Sequence, residues 1–132
     1  MSFFMLEEFV CRCKSRHCEG KLPRLRMNPL LLQALNRVRE EFGAPIRITS
    51  GYRCPAHNKA VGGIASSQHV AGTAADISPV SGKPEDVRRL LALCHAERGF
   101  TAVGDGTDRL FVHVDVRTAR PGTPQKRWDY TK

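Results

Sequence analysis

RLFVHVDVR, residues 109–117, alternates without a break. Side chains two apart on an extended chain share a face. Leu110, Val112, Val114 and Val116 therefore fall on one side, and Phe111, His113, Asp115 and Arg117 on the other. The aliphatic row demands a core beneath it. The opposite row meets solvent or a cleft, and it carries an imidazole and a carboxylate two positions apart. Such a strand belongs in a sheet with one buried face and one face left for chemistry.

The flanking sequence supplies the rest of that sheet and its cover. Asn28 reads as an N-cap ahead of Pro29 at the first helical position. In LLLQALNRVREEFG, Leu31, Leu35, Val38 and Phe42 recur near a 3.6-residue period, and Gly43 is a C-terminal stop. PIRITSGYR follows as a strand, with Ile46 and Ile48 alternating against Arg47 and Thr49 and an end at Gly51. PAHNKAVGG predicts a short helix closed by Gly62 and Gly63, and TAADIS a second strand. SGKPEDVRRLLALCHAERG predicts a long helix with Pro84 and two acids in its first turn. Its apolar positions are Val87, Leu90, Leu91 and Cys94, and Gly99 is its stop. FTAVG is a third strand, FFMLEEFV a short opening helix, and TARPGTPQKRWDYTK a turn-rich basic tail. The class is α+β: a small, mostly antiparallel sheet with helices packed on one side. The 132 residues are expected to form a single domain, 1–132.

Composition removes some functions. No stretch approaches the roughly 20 apolar residues of a membrane span, so no span is expected. MSFFMLEEFVCRCK lacks a basic opening, and Glu7 and Glu8 interrupt its apolar run. No signal peptide is read there, and synthesis in the cytoplasm is expected. The net charge of +8, from 21 basic and 13 acidic residues, attracts polyanions such as nucleic acid or an anionic cell wall. The basic residues are dispersed and lack interleaved aromatics, so no nucleic-acid partner is expected. Cys11, Cys13 and Cys18 cluster as CRCKSRHC, while Cys54 and Cys94 lie apart. That spacing is not the paired C-x2-C of a zinc finger. It leaves open reduced thiols, a disulfide, or a second metal site completed by Cys54 or His17. The missing signal favours reduced thiols.

SSQHVAGTAADIS, residues 66–78, sets His69 and Asp76 on a frame of small residues. Combined with His113, they offer two imidazoles and a carboxylate. Three protein ligands leave the fourth position of a tetrahedral zinc open, as catalytic sites require. Such a zinc polarises a carbonyl and lowers the pKa of its water to about 7, and a peptide bond is the natural target. A hydrolase also needs a general base and a cation for the developing oxyanion. By spacing alone, a histidine and an aspartate are equally readable as structural. His17, His57 and His95 have no motif around them and read as surface or packing residues.

SGYRCPAHNKAVGG, SSQHVAGTAADI and FVHVDVR occur in that order, and together they resemble the zinc D-alanyl-D-alanine carboxypeptidase family. That family shares its fold with the hedgehog signalling domain and includes peptidoglycan-cleaving enzymes of bacteria and phages. The resemblance runs from about FFMLEEFVC to HVDVR, and S-x-H-x6-D followed by a strand histidine is its specific part. It implies a zinc cofactor held by His69, Asp76 and His113. It also implies that Arg53, the arginine of SGYR, stabilises the tetrahedral intermediate and contacts substrate. Ser67, the serine of S-x-H, is implied near the metal or the substrate. Better-known members carry a glutamate as general base three residues before the last zinc histidine; here that residue is Leu110. Asp115 is the substitute by strand face, with Asp108 and Asp105 behind it. Asp115 is equally readable as a partner that orients His113 or Arg53.

The resemblance implies a zinc metallopeptidase, of D,D-carboxypeptidase or endopeptidase type, acting on peptidoglycan stem peptides or cross-links. A monomer acting in the cell wall or periplasm, in the manner of an endolysin, is expected. The alternative is a weak or inactive zinc-containing module that binds cell wall or a protein partner, and Leu110 favours it.

Overall fold

The structure is a computed structural model that describes residues 3–9, 11–12, 27–64 and 67–130. Cys13, His17 and Cys18 lie outside the described residues. A 3-10 turn, Leu6–Phe9, comes first. Helix α1 spans Pro29–Phe42. The Asn28 side chain accepts the Leu30 N–H at 2.8 Å, and Gly43 closes the helix at φ 72°. That is the capping chemistry the sequence predicts. There follow β1 (Ile46–Ser50), α2 (Pro55–Ala60), α3 (Gln68–Ala71), β2 (Ala74–Pro79) and α4 (Pro84–Ala96). The chain ends in β3 (Ala102–Gly106), β4 (Phe111–Asp115) and β5 (Lys126–Asp129).

The strands lie in the order β1-β2-β4-β3-β5. β1/β2, β2/β4 and β4/β3 pair antiparallel, and β5 joins β3 in parallel. The sheet is thus mixed but mostly antiparallel, in the expected α+β class. Ile46, Ile48, Ala75, Ile77, Val103, Val112 and Val114 point to one side. There they meet Leu31, Leu35 and Val38 of α1 and Val87, Leu90 and Cys94 of α4 in one core. Burying side chains of this size removes them from water at about 1.5–3 kcal/mol each, and that holds both helices on this face. Cys11, Cys54 and Cys94 are buried thiols. No helix among the described residues is long and apolar enough to cross a membrane.

The other face carries Asp76 from β2 and His113 and Asp115 from β4. β3 presents only Ala102, Gly104 and Gly106 to it. A Cβ on Gly104 would stand 2.7 Å from the Trp128 indole, and one on Gly106 would collide with the Phe111 ring. β3 is bare on this side because rings from its two neighbouring strands lie across it.

Four details differ from the sequence expectation. The tail is not all turn: Lys126–Asp129 forms β5, whose N–H of Lys126 bonds Thr101 O at 2.9 Å. Four residues on a sheet edge are too few for periodicity to register. A second short helix, α3, forms at Gln68–Ala71, where the sequence predicts no element. The strand RLFVHVDVR begins at Phe111 rather than at Arg109. Leu110 instead closes the 3-10 turn Thr107–Arg109 with φ 62° and is 39% exposed, so it does not join the core row. A non-glycine in that region costs about 1–2 kcal/mol, accepted here because β3 and β4 are joined by so tight a turn. Gly99 is not the stop of α4, which ends at Ala96. It makes room for the Arg37–Glu97 ion pair, whose atoms a Cβ there would meet at 2.6 and 2.8 Å.

Leu90 is fully buried under the sheet, and Leu30 is 61% exposed on the same core's outer helix. Leu90→Ala is expected to destabilise by about 2–5 kcal/mol, and Leu30→Ala by less than about 0.5 kcal/mol. Denaturant unfolding of the two variants checks this; equal losses would contradict the placement of the core.

Candidate metal centre

β2 and β4 pair so that Asp76 and His113 are directly opposite. Opposed residues share a sheet face, with Cβ atoms about 4.5–5.5 Å apart. The His113 Nδ1 stands 2.9 Å from Asp76 Oδ1. The third group arrives on α3. Ser67 caps that helix by accepting the His69 N–H at 3.2 Å, and Gly72 ends it at φ 76°. Such a short helix turns the chain sharply into β2 and brings His69 Nε2 to 3.4 Å from Asp76 Oδ1. The ligand atoms of His69, Asp76 and His113 all lie within 4.8 Å of one another. Ligands about 2.0–2.1 Å from a tetrahedral zinc stand roughly 3.3 Å apart, so the spacing fits.

The outer partners fit as well. His69 Nδ1 lies 2.8 Å from Gly51 O, a carbonyl that can only accept, so Nε2, facing Asp76, is the nitrogen a metal would take. His113 Nε2 lies 2.8 Å from Asp115 Oδ2, which leaves Nδ1 for a metal. A carbonyl or carboxylate on the far nitrogen is the usual support of a metal-bound histidine. Both imidazoles are buried, His69 at 3% and His113 at 5% exposure. Gly51 is where the site rests on the opening segment, since a Cβ there would meet the Phe9 backbone at 2.6 Å.

Charge follows geometry. Burial pushes the Asp76 carboxyl up, but without a metal the facing His113 and His69 nitrogens can carry protons toward it, and they hold the group well below its ordinary value. Burial also raises Asp115, yet Arg117 and then His113 bring it down to about 2. Burial opposes charge on His113, while its bonds to Asp115 and Asp76 favour it, with a net rise. Both carboxylates are ionised at neutral pH, as a cation site requires.

The groups face a cleft of about 910 Å³. Arg53 lies on its wall. Its N–H bonds His69 O at 3.2 Å, and its Nη2 donates to Ser67 Oγ at 3.2 Å. Arg53 Nε is buried and has no hydrogen-bond partner among the described residues. Arg53, Ser67, His69, Asp76 and His113 are thus brought together. Asp115 is not on the cleft: it is fully buried behind His113, and Arg117 Nε and Nη2 clamp it at 2.8 and 2.7 Å. Asp105 pairs with Val112, on the core side of β3, and accepts the Thr107 N–H at 2.9 Å. Asp108 is exposed on the 3-10 turn. Among the described residues, Asp76 is the cleft's only carboxylate. Lys126, Trp128 and Tyr130 of the tail also line it. The chain's only tryptophan, set in a basic tail, was the available signal.

The family model described as peptidase M15 matches residues 2–115. No curated protein matches the chain.

Loss of a ligand is expected to cost more than loss of its support. His113→Ala and Asp76→Asn should lower zinc affinity by more than about 100-fold, and Asp115→Asn by about 10–100-fold, the range for outer partners. Competition against a chromogenic chelator measures this. An Asp115→Asn protein that is folded and binds zinc like the unaltered chain would contradict the support role.

Proposed function

The chain belongs to the peptidase M15 family, the zinc D-alanyl-D-alanine carboxypeptidase-like group of metallopeptidases, and from that premise we propose that it hydrolyses peptide bonds in peptidoglycan stem peptides or cross-links. The observation that carries the reading is the convergence of His69 Nε2, Asp76 Oδ1 and His113 Nδ1 at the floor of an open cleft.

These three residues would hold the zinc, which when bound supplies an acidified water and a polarised carbonyl. The chain's own groups do the remainder. Arg53 lines the cleft, where its fixed guanidinium charge would stabilise the oxygen that gains charge as the scissile carbon becomes tetrahedral. Ser67 fixes the guanidinium by accepting from Nη2. Asp115 keeps the His113 proton on Nε2 and so keeps Nδ1 aimed at the cleft. Arg109 and Lys126 add positive charge to the walls, which suits a peptide bearing carboxylates. The place of action is the cell wall or periplasm, and the products decide between carboxypeptidase and endopeptidase type.

A specific observation supports a second reading. No carboxylate besides Asp76 lines the cleft among the described residues, so no side chain there is an evident general base. A zinc-holding module that binds cell wall without cutting it has the same ligands and no need of one.

Purified, zinc-loaded protein incubated with cell-wall sacculi separates the two. Release of cleaved stem peptides, abolished by chelation, is the expected result. Arg53→Ala should lower kcat by about 10²–10³-fold, the scale of a lost oxyanion donor. Arg53→Lys should recover only part, because an ammonium lacks the planar fork. Unchanged muropeptides alongside retention on sacculi would overturn the peptidase reading in favour of the module.

A further inference from the structure

We propose that Trp128 is a positioning residue of the metal centre, so that β5, which lies beyond the family-matched residues, is part of the site. The inference rests on the reading that His69, Asp76 and His113 hold a metal.

The register sets it up. Asp76 pairs with His113, His113 with Gly104, and Gly104 with Trp128, so the four stand in one row across β2, β4, β3 and β5. Trp128 is two strands from His113, too far for contact if the intervening residue had a side chain. Gly104 has none. The indole lies across it, where a Cβ would approach to 2.7 Å, and meets the imidazole with ring centroids 5.2 Å apart at 49°.

Hydrogen bonds alone leave the imidazole incompletely held. Asp76 and Asp115 fix its two nitrogens, at 2.9 and 2.8 Å. The angular preference at a carboxylate oxygen is broad, so they resist tilting of the ring plane weakly. The His69 ring packs against it with centroids 5.2 Å apart, and Trp128 supplies a second ring contact from the neighbouring edge of the sheet. The same indole lies 5.3 Å from the Arg117 guanidinium, which clamps Asp115. Trp128 therefore braces the ligand and the pair behind it together. Its removal gives the imidazole room to tilt and opens the Asp115–Arg117 pair to water. A site of this kind requires its ligands within about 0.5 Å of the productive geometry.

Trp128 is the chain's only tryptophan, so tryptophan emission reports on this position alone. The metal-depleted full chain would be titrated with Co²⁺ while tryptophan fluorescence is followed, and zinc affinity measured by chelator competition. Co²⁺ is expected to quench Trp128 as it binds. Trp128→Ala should weaken zinc binding at least about 10-fold, the lower end for an outer partner, and Trp128→Phe by less than about 3-fold on the same scale. Gly104→Ala, which displaces the indole while keeping it, should weaken binding like Trp128→Ala. Thermal melts of the metal-free variants confirm folding; if Trp128→Ala does not fold, Gly104→Ala and the Co²⁺ titration decide. Unaltered zinc affinity in folded Gly104→Ala, or Co²⁺ bound without quenching, overturns the role of Trp128 and leaves the metal site standing. Absence of zinc binding by the unaltered chain overturns the metal reading and this inference with it.

Discussion

Asp76 and His113 face each other on neighbouring strands, and holding that pair together at the floor of the cleft is the constraint around which the chain is arranged. A partly buried carboxylate beside a buried imidazole is costly unless their polar atoms find partners. The partners come from widely separated segments. Asp115 and Arg117 close the far side of His113, while Gly51 holds His69 in the position from which it reaches Asp76. On the opposite face of the same strands, Ile77, Val112 and Val114 are fully buried under α1 and α4. The core thus fixes the register that makes Asp76 and His113 opposite, since a slip of one residue would turn each to the other face.

The parts that were legible are those where one physical rule dominates. Strict alternation in FVHVD and a 3.6-residue stripe in Leu31, Leu35, Val38 and Phe42 left little choice of element. The candidate trio of His69, Asp76 and His113 could be put together from residue chemistry, but only the resemblance singled it out, because nothing in the spacing of His69 and Asp76 says that β2 pairs with β4. α3 escaped because four residues hold barely one turn, and its cause is local: Ser67 at one end and Gly72 at the other. β5 escaped because its pairing with β3 is parallel and long-range, a matter of tertiary packing rather than local pattern. Leu110 continued the alternation perfectly and still left the strand, since the turn from β3 required a residue with positive φ.

Asp115 illustrates how a residue type underdetermines a role. On a strand face beside His113 it suits a base or a support equally well. Full burial, a bond to the far nitrogen of His113 and a two-point clamp by Arg117 suit it to support. Among the described residues the cleft has one carboxylate and several cations, so its electrostatics suit an anionic group more evidently than proton removal. The bare face of β3 belongs to the same design. By presenting Gly104 and Gly106, it lets the Trp128 ring reach His113 and the Phe111 ring lie across β3.

The most direct test of the central claim is X-ray absorption at the zinc edge of protein loaded with a single equivalent of the metal. The arrangement of His69, Asp76 and His113 predicts a first shell of nitrogen and oxygen alone, at about 2.0–2.1 Å, with imidazole scattering beyond it. A shell dominated by sulfur at about 2.3 Å would place the metal among the cysteines and contradict the account.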